Sequence, residues 1–127
     1  MSINPRIETE EDLQIIKEFT LLPILLDMLA RDIDELQINQ DKIVYSHVIF
    51  YLKGVEKLIY EELHSIRNRM KKLDIKILST DMNLKGIEIE YKVRGYMHRF
   101  YLLRSLVKAE LMTMLMNLGM RVSSLDY

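Results

Sequence analysis

Cysteine is missing from this 127-residue sequence, and only two prolines and four glycines occur. Without cysteine, neither a disulfide framework nor a thiolate metal site can form. Gly54, Gly86, Gly95 and Gly119 are too widely scattered to build a phosphate-binding loop. A Gly-x-Ser-x-Gly nucleophile motif is also missing. We therefore expect a non-catalytic protein without a cofactor.

Long apolar runs are missing too. The longest, from Leu21 to Leu26, is interrupted by Pro23 and is far too short to cross a bilayer. The N-terminus is polar and acidic and does not resemble a secretory signal. With 49% hydrophobic and 29% charged residues, the composition is that of one globular domain, residues 1–127. We expect a cytoplasmic protein that makes no membrane contact.

Charges of opposite sign are separated along the chain, although the net charge is only −1. Residues 1–63 carry 6 Lys/Arg and 13 Asp/Glu, a balance of −7, whereas residues 64–127 carry 12 and 6, a balance of +6. Two interpretations are open. The halves fold against each other or against a second copy, or the basic half binds an anion such as nucleic acid.

The N-terminal part predicts two helices. Thr9 is followed directly by acidic residues, which is typical of a helix N-cap. Pro23 is expected to end or kink this first helix, and Thr20 to cap a second helix that begins near Pro23. Apolar residues then follow the 3.6-residue period as far as Leu36.

The central part, from Asp41 to about Leu73, contains no proline and has a long helical pattern. Gly54 is its weak point, since glycine costs about 1 kcal/mol relative to alanine inside a helix. Gly54 is either a close-packing position or a turn that divides the segment into two helices. We favour one long helix.

Residues 75–94 predict a β-hairpin. Apolar and charged residues alternate strictly from Ile87 to Arg94, the period-two pattern of a half-buried strand. The partner strand begins at Ile75, and residues 80–86 form the loop. The predicted fold is therefore α+β and predominantly helical: N-terminal helices, one long central helix, the hairpin and a long C-terminal helix.

A helical interpretation of the same stretch is also open. Apolar residues keep helical spacing from Ile89 onward, which would make the protein an all-α long helical hairpin. We favour the β-hairpin, because Gly86 and Gly95 then lie at its ends rather than inside a helix. From Tyr96 to Leu118 we expect an amphipathic helix with Gly119 as its C-cap.

Two basic clusters are candidate nucleic-acid contacts. One lies at the C-terminal end of the central helix, where the helix dipole stabilises cations even without a nucleic-acid partner. The other lies where the hairpin meets the last helix. There basic residues interleave with aromatic residues, a mixture that suits contacts to phosphates and stacking on nucleic-acid bases. The candidates are Arg67, Arg69, Lys71, Lys72, Lys92, Arg94 and Arg99.

These clusters resemble the arrangement of a winged-helix DNA-binding domain with a dimerising C-terminal helix. The resemblance rests on a basic helix end, a hairpin carrying Lys85 and a following long helix, and it implies that Ile59–Leu73 lies in the major groove. The sequence departs from that family, because only Gly54 offers the required turn between two short helices. The near-zero net charge departs from it as well.

Residues 70–111, with the junction Arg94-Gly95-Tyr96, are similar to uncharacterised small proteins of Bacillales phages and mobile elements. The resemblance covers a third of the chain. It implies an auxiliary or regulatory protein and carries over no site residues.

Metal-ligand patterns are sparse. Glu61 and His64 form one Glu-x-x-His motif, whereas carboxylate-bridged di-iron bundles use two, and Gly95 stands three residues before His98 where the second would need glutamate. We therefore expect no metal site and interpret Glu61 and His64 as a polar surface pair.

The end of the last helix is apolar on more than one face and rich in methionine, which adapts to irregular partner surfaces. Its candidate oligomer contacts are Leu111, Met114, Leu115 and Leu118, and the alternative is burial in the core. We therefore expect an interaction or regulatory protein that forms homo-oligomers through its long helices. The alternative is a nucleic-acid-binding transcriptional regulator with DNA as its partner.

Overall fold

A computed structural model describes residues 7–39 and 41–125 of the chain. It contains a long helical hairpin, then a three-stranded antiparallel sheet, then a third helix. The elements are α1 (Glu10–Gln37), α2 (Ile43–Leu73), β1 (Ile75–Asn83), β2 (Gly86–Val93), β3 (Tyr96–Leu103) and α3 (Arg104–Leu125). The predicted class, α+β and predominantly helical, is confirmed.

Helix α1 begins as the sequence predicts. The Thr9 side chain accepts a hydrogen bond from the Asp12 amide at 3.1 Å, and the Asp12 carboxylate accepts one from the Thr9 amide at 2.9 Å. These reciprocal bonds form a capping box, which satisfies two backbone donors that a helix start would otherwise leave unpaired.

The prediction of two N-terminal helices is wrong, because α1 continues through Pro23 without a break. A proline inside a helix costs about 3 kcal/mol. The helix buries Leu22, Leu25 and Leu29, and each buried leucine side chain contributes roughly 1.5–3 kcal/mol. Burial of the apolar face therefore outweighs the proline penalty. Thr20 caps nothing and lies inside the helix.

Helix α2 is one continuous helix, as predicted. Gly54 lies inside it at a close-packing position: a Cβ at Gly54 would lie 3.3 Å from a methyl group of Val122 on α3. Since α2 does not turn at Gly54, the turn that a winged helix requires is not there. The segment Ile59–Leu73 is the second half of a longer helix and buries its apolar side in the core.

The predicted hairpin is confirmed, and the all-α alternative is wrong. β1 pairs antiparallel with β2, with an irregularity between Ile77 and Ser79. The loop is shorter than predicted because the Asn83 side chain accepts hydrogen bonds from the amides of Lys85 and Gly86. Gly86 has a φ of +154°, and a side chain there would overlap the backbone of Leu102.

The expected helix from Tyr96 is wrong over its first eight residues, because Tyr96–Leu103 is a third strand. Val93 pairs with Tyr96, so Arg94 and Gly95 form a two-residue turn, with φ angles of +52° and +87°. Positive φ at both turn positions matches the twist of antiparallel strands, so the chain returns along β2 instead of starting a helix.

Gly119 is not a C-cap, because α3 continues to Leu125. At this point α3 packs closely against α2, and a side chain at position 119 would overlap the Tyr51 hydroxyl group. Gly119 therefore leaves room for the Tyr51 side chain between the two helices.

One hydrophobic core joins all three helices to one face of the sheet. β2 contributes every second residue to it, namely Ile87, Ile89, Tyr91 and Val93. The opposite face of β2 carries Glu88, Glu90 and Lys92. The sheet order is β1-β2-β3, so β1 and β3 are its edges in the part of the chain that the structure describes. No helix in this part is long and apolar enough to cross a membrane.

Candidate functional site

The end of α2 carries one group of exposed basic side chains. Arg67, Lys71 and Lys76 line a cleft of about 350 Å³ together with Asp74 and with apolar side chains from α1, α2 and β1. The Arg67 guanidinium lies 5.7 Å from the centre of the Phe19 ring, within cation–π range. Lys72 is also exposed at this end. The predicted first cluster is therefore partly assembled around one cleft.

The remaining predicted basic residues do not extend this cleft into one basic surface. Arg69 pairs with Glu11 on α1 at 3.2 Å. Arg99, on β3, pairs with both Glu88 and Glu90 on β2 at 3.0 and 2.9 Å. Lys92 is exposed on β2, on the same side of the sheet as those glutamates.

Arg94 is partly buried, with its side chain 24% exposed. It lies in the β2–β3 turn, and its guanidinium donates a hydrogen bond to Asp12 at 2.7 Å. The Asp12 side chain is only 2% exposed. Arg94 also donates to the backbone carbonyls of Leu73 and Ile7, both at 3.3 Å. It therefore connects the start of α1, the end of α2 and the sheet through its bonds to a carboxylate and two carbonyl groups.

Asp12 stays ionised in this position. Burial alone would raise its pKa, but the hydrogen bonds from Arg94 and Thr9, together with the charge of Arg94, outweigh burial and lower the pKa of Asp12. The ion pair and the capping box thus share one carboxylate.

A second polar contact lies next to the ion pair between Arg94 and Asp12. The buried Tyr91 donates its hydroxyl hydrogen to Glu8, and the His98 ring stacks on Tyr91 with centroids 5.6 Å apart. Burial and the neighbouring carboxylates raise the pKa of Tyr91 above its ordinary value. Since Glu8 precedes α1, this contact fastens the start of α1 to the sheet.

Ion pairs across the chain confirm that the acidic and basic halves fold against each other. Three arginines from the basic half pair with carboxylates from the acidic half. The pairs are Arg69 with Glu11, Arg94 with Asp12 and Arg121 with Glu62.

The predicted oligomer contacts on α3 face inward. Leu118 is buried, and Leu111, Met114 and Leu115 pack against the core. Leu118 therefore belongs to the core and the other three side chains are partly buried against it, as the alternative interpretation expects.

The opposite side of α3 is exposed and carries large apolar side chains among polar ones. We call Leu106, Met112 and Met116 the α3 outer face; their side chains are 51%, 55% and 62% exposed. Leu103, the last residue of β3, is 52% exposed and lies just before this face. The sequence had shown that α3 is apolar on several sides, but only packing decides which side is covered.

A family model described as YhjD protein matches residues 7–121. The chain belongs to the YhjD family. No curated protein and no solved structure matches it.

In the described part of this YhjD family member, the histidines do not assemble with two or more carboxylates into a metal-binding group. Within residues 7–39 and 41–125, no cluster of three or more His, Cys, Asp or Glu side chains is placed to hold a metal ion. Glu61 and His64 are both exposed on α2.

Proposed function

We propose that this protein is a non-catalytic interaction protein that self-associates. The observation that carries the proposal is the α3 outer face. Its three large apolar side chains are all more than half exposed, although α3 is packed on the core along its other side. Apolar groups collected on one helix face are typical of a protein contact surface.

The composition of this face supports the same function. Methionine has an unbranched, polarisable side chain that fits irregular apolar surfaces. Met112 and Met116 lie one helical turn apart and so lie on the same face of α3. Leu103, three residues before Leu106 at the end of β3, is exposed as well.

The test is the oligomeric state of a Met112→Glu/Met116→Glu variant, measured by sedimentation velocity. We expect the unmodified protein to be a dimer and the variant to be monomeric at the same concentration, because the glutamates would have to be desolvated on association. Tyr60→Glu, at an exposed apolar position on α2, is the matched control and should remain dimeric. A monomeric unmodified protein at every soluble concentration would contradict the proposal.

A second candidate function is the binding of duplex DNA at the end of α2. It is favoured by the convergence of Arg67, Lys71 and Lys76 on one cleft, with Lys72 exposed nearby. Three of the seven predicted contacts are already engaged with carboxylates, which leaves a smaller basic surface than the sequence implied.

This candidate is tested by a mobility-shift series at increasing salt. Binding should weaken steeply with salt, and Arg67→Ala/Lys71→Ala should reduce the slope of log K against log salt by about 2. Arg99→Ala, a cation on the sheet, serves as the control and should leave the slope unchanged. If the unmodified protein does not bind DNA even at low salt, this candidate is wrong.

A further inference from the structure

Along the outer edge of β3, backbone N–H and C=O groups point away from β2, where the described chain has no further strand. Arg104 donates its backbone N–H to the carbonyl of Lys85, and this pair continues the β2–β3 register. In an antiparallel ladder, residues alternate between pointing their N–H and C=O groups toward the neighbour and away from it. Residues 98, 100 and 102 therefore bond to β2, and residues 97, 99, 101 and 103 point away from it. Within the described chain, β3 has no neighbour on that side.

The two edges of the sheet differ in how they are protected. β1 has an irregularity between Ile77 and Ser79, and it carries Lys76 and Asp81 at exposed positions. Irregularities and charges are devices that keep an edge strand from pairing with another chain. β3 pairs with β2 in one regular register over its whole length.

β3 has one charged residue among those whose backbone groups point away from β2, which are Met97, Arg99, Tyr101 and Leu103. Arg99 is paired with Glu88 and Glu90 on β2, and its side chain remains 67% exposed. The other three side chains are apolar or aromatic, and Met97 and Leu103 are 57% and 52% exposed.

We propose that β3 pairs antiparallel with β3 of a second copy, with the two-fold axis at Phe100, so that two three-stranded sheets join into one of six strands. This inference rests on the proposed self-association and states how the second copy binds. Leu103 at the end of β3 and Leu106 in the first turn of α3 are both about half exposed, at 52% and 51%.

The register follows from side-chain chemistry. A two-fold axis perpendicular to the sheet places one residue opposite its own copy. With the axis at Phe100, Arg99 lies opposite Tyr101 of the second copy, and Met97 lies opposite Leu103. These pairs are a cation with an aromatic ring and two apolar side chains, and both kinds are favourable.

The neighbouring registers are less favourable. An axis at residue 99 places two Arg99 side chains directly opposite each other, and like charges in that position are destabilising. An axis at residue 101 places Arg99 opposite Leu103 and leaves Met97 outside the paired region. Of these three registers, only the one centred on Phe100 gives a suitable partner to each of the four residues whose backbone groups point away from β2.

Single-cysteine variants test the register cleanly, because the natural sequence has no cysteine. Arg99→Cys and Tyr101→Cys are prepared separately, mixed, allowed to exchange subunits and oxidised gently. Directly paired residues that exchange hydrogen bonds have Cα atoms about 5.5 Å apart, which suits a disulfide. Diagonal residues are roughly 7–8 Å apart and form one poorly.

We expect the mixture to give disulfide-linked dimer at several times the yield of either variant alone, up to the random share of mixed dimers. Linkage of Arg99→Cys alone indicates the axis at 99, and linkage of Tyr101→Cys alone indicates the axis at 101; either result overturns the proposed register. Sedimentation of the reduced samples is run in parallel. If sedimentation shows a dimer but no sample forms a disulfide-linked dimer, the proposed strand pairing is overturned and the proposed self-association stays intact.

A second variant tests the edge without cysteine chemistry. Tyr101→Lys places a cation opposite Arg99 of the second copy, so the dissociation constant of the dimer should rise at least tenfold. Ser79→Lys puts the same charge on the exposed outer face of β1 and should leave it unchanged. If Tyr101→Lys dimerises as tightly as Ser79→Lys does, the β3 edge is not the contact. A monomeric unmodified protein would overturn both the pairing and the self-association.

Discussion

Arg94 and Arg99 belong to one basic cluster in the sequence, but the structure gives them opposite environments. Arg94 donates to Asp12, whose side chain is 2% exposed, and to two backbone carbonyls. Arg99 lies on the sheet surface between Glu88 and Glu90, and its side chain is 67% exposed.

The difference shows how burial decides what an ion pair contributes. On the surface, water screens the charges and stabilises them when the pair is broken, so a pair contributes about 0–1 kcal/mol. In the interior, removal of one partner leaves a charge without water or counter-charge, which costs several kcal/mol. Sequence position alone does not separate these two cases.

The largest effect is expected for Arg94→Ala, which leaves the buried Asp12 carboxylate without its cation. The free energy of unfolding should fall by about 3 kcal/mol, at the lower end for buried pairs because Arg94 is partly exposed. Urea denaturation followed by circular dichroism measures it. A loss below about 1 kcal/mol would mean that Arg94 behaves as a surface arginine.

Asp12→Asn should have the next largest effect, about 2 kcal/mol at neutral pH, since it removes a charged hydrogen-bond acceptor. The pKa of Asp12 is lower in the folded state than its ordinary value of 3.8. Its stabilisation is therefore fully present above that value and is lost as the pH falls through the folded-state pKa. The variant should lose less stability than the unmodified protein on acidification, as measured by urea midpoints across an acid pH series.

Arg94→Lys keeps the positive charge but removes the planar guanidinium that reaches three acceptors at once. A loss of about 1–2 kcal/mol is expected, between those of Arg94→Ala and a surface change. Thermal unfolding of the lysine and alanine variants side by side checks the order. Equal losses would show that geometry contributes everything and charge nothing.

Arg99→Ala should have the smallest effect, at most about 1 kcal/mol, because its ion pairs are screened by solvent. Added salt should shrink this difference further. The same urea measurements, repeated at low and high salt, test both points. A loss as large as that of Arg94→Ala would remove the contrast between the two arginines.

Several elements could be predicted because their signals are local. The Thr9 cap follows from the acidic residues after it, and α2 follows from a long proline-free helical period. β2 follows from strict alternation, since a strand with one buried face needs apolar residues at every second position.

Other elements were mispredicted because a local signal was outweighed by packing or had two meanings. Pro23 indicates a helix end, yet α1 continues because its apolar face is buried on both sides of the proline. Tyr96 and the residues after it keep helical spacing, but the Arg94-Gly95 turn directs them back along β2 as a strand. A two-residue turn with glycine, directly after the alternating residues of β2, was the available signal for β3.

The sequence by itself determined the helix-rich class, the hairpin and the presence of opposite charges in the two halves. These properties depend on local period and composition. Only the tertiary structure decided which arginines are paired, which side of α3 is covered and which sheet edge stays open. Those outcomes depend on side chains far apart in the sequence, such as Asp12 and Arg94, whose interaction exists only after the helices and the sheet have packed together.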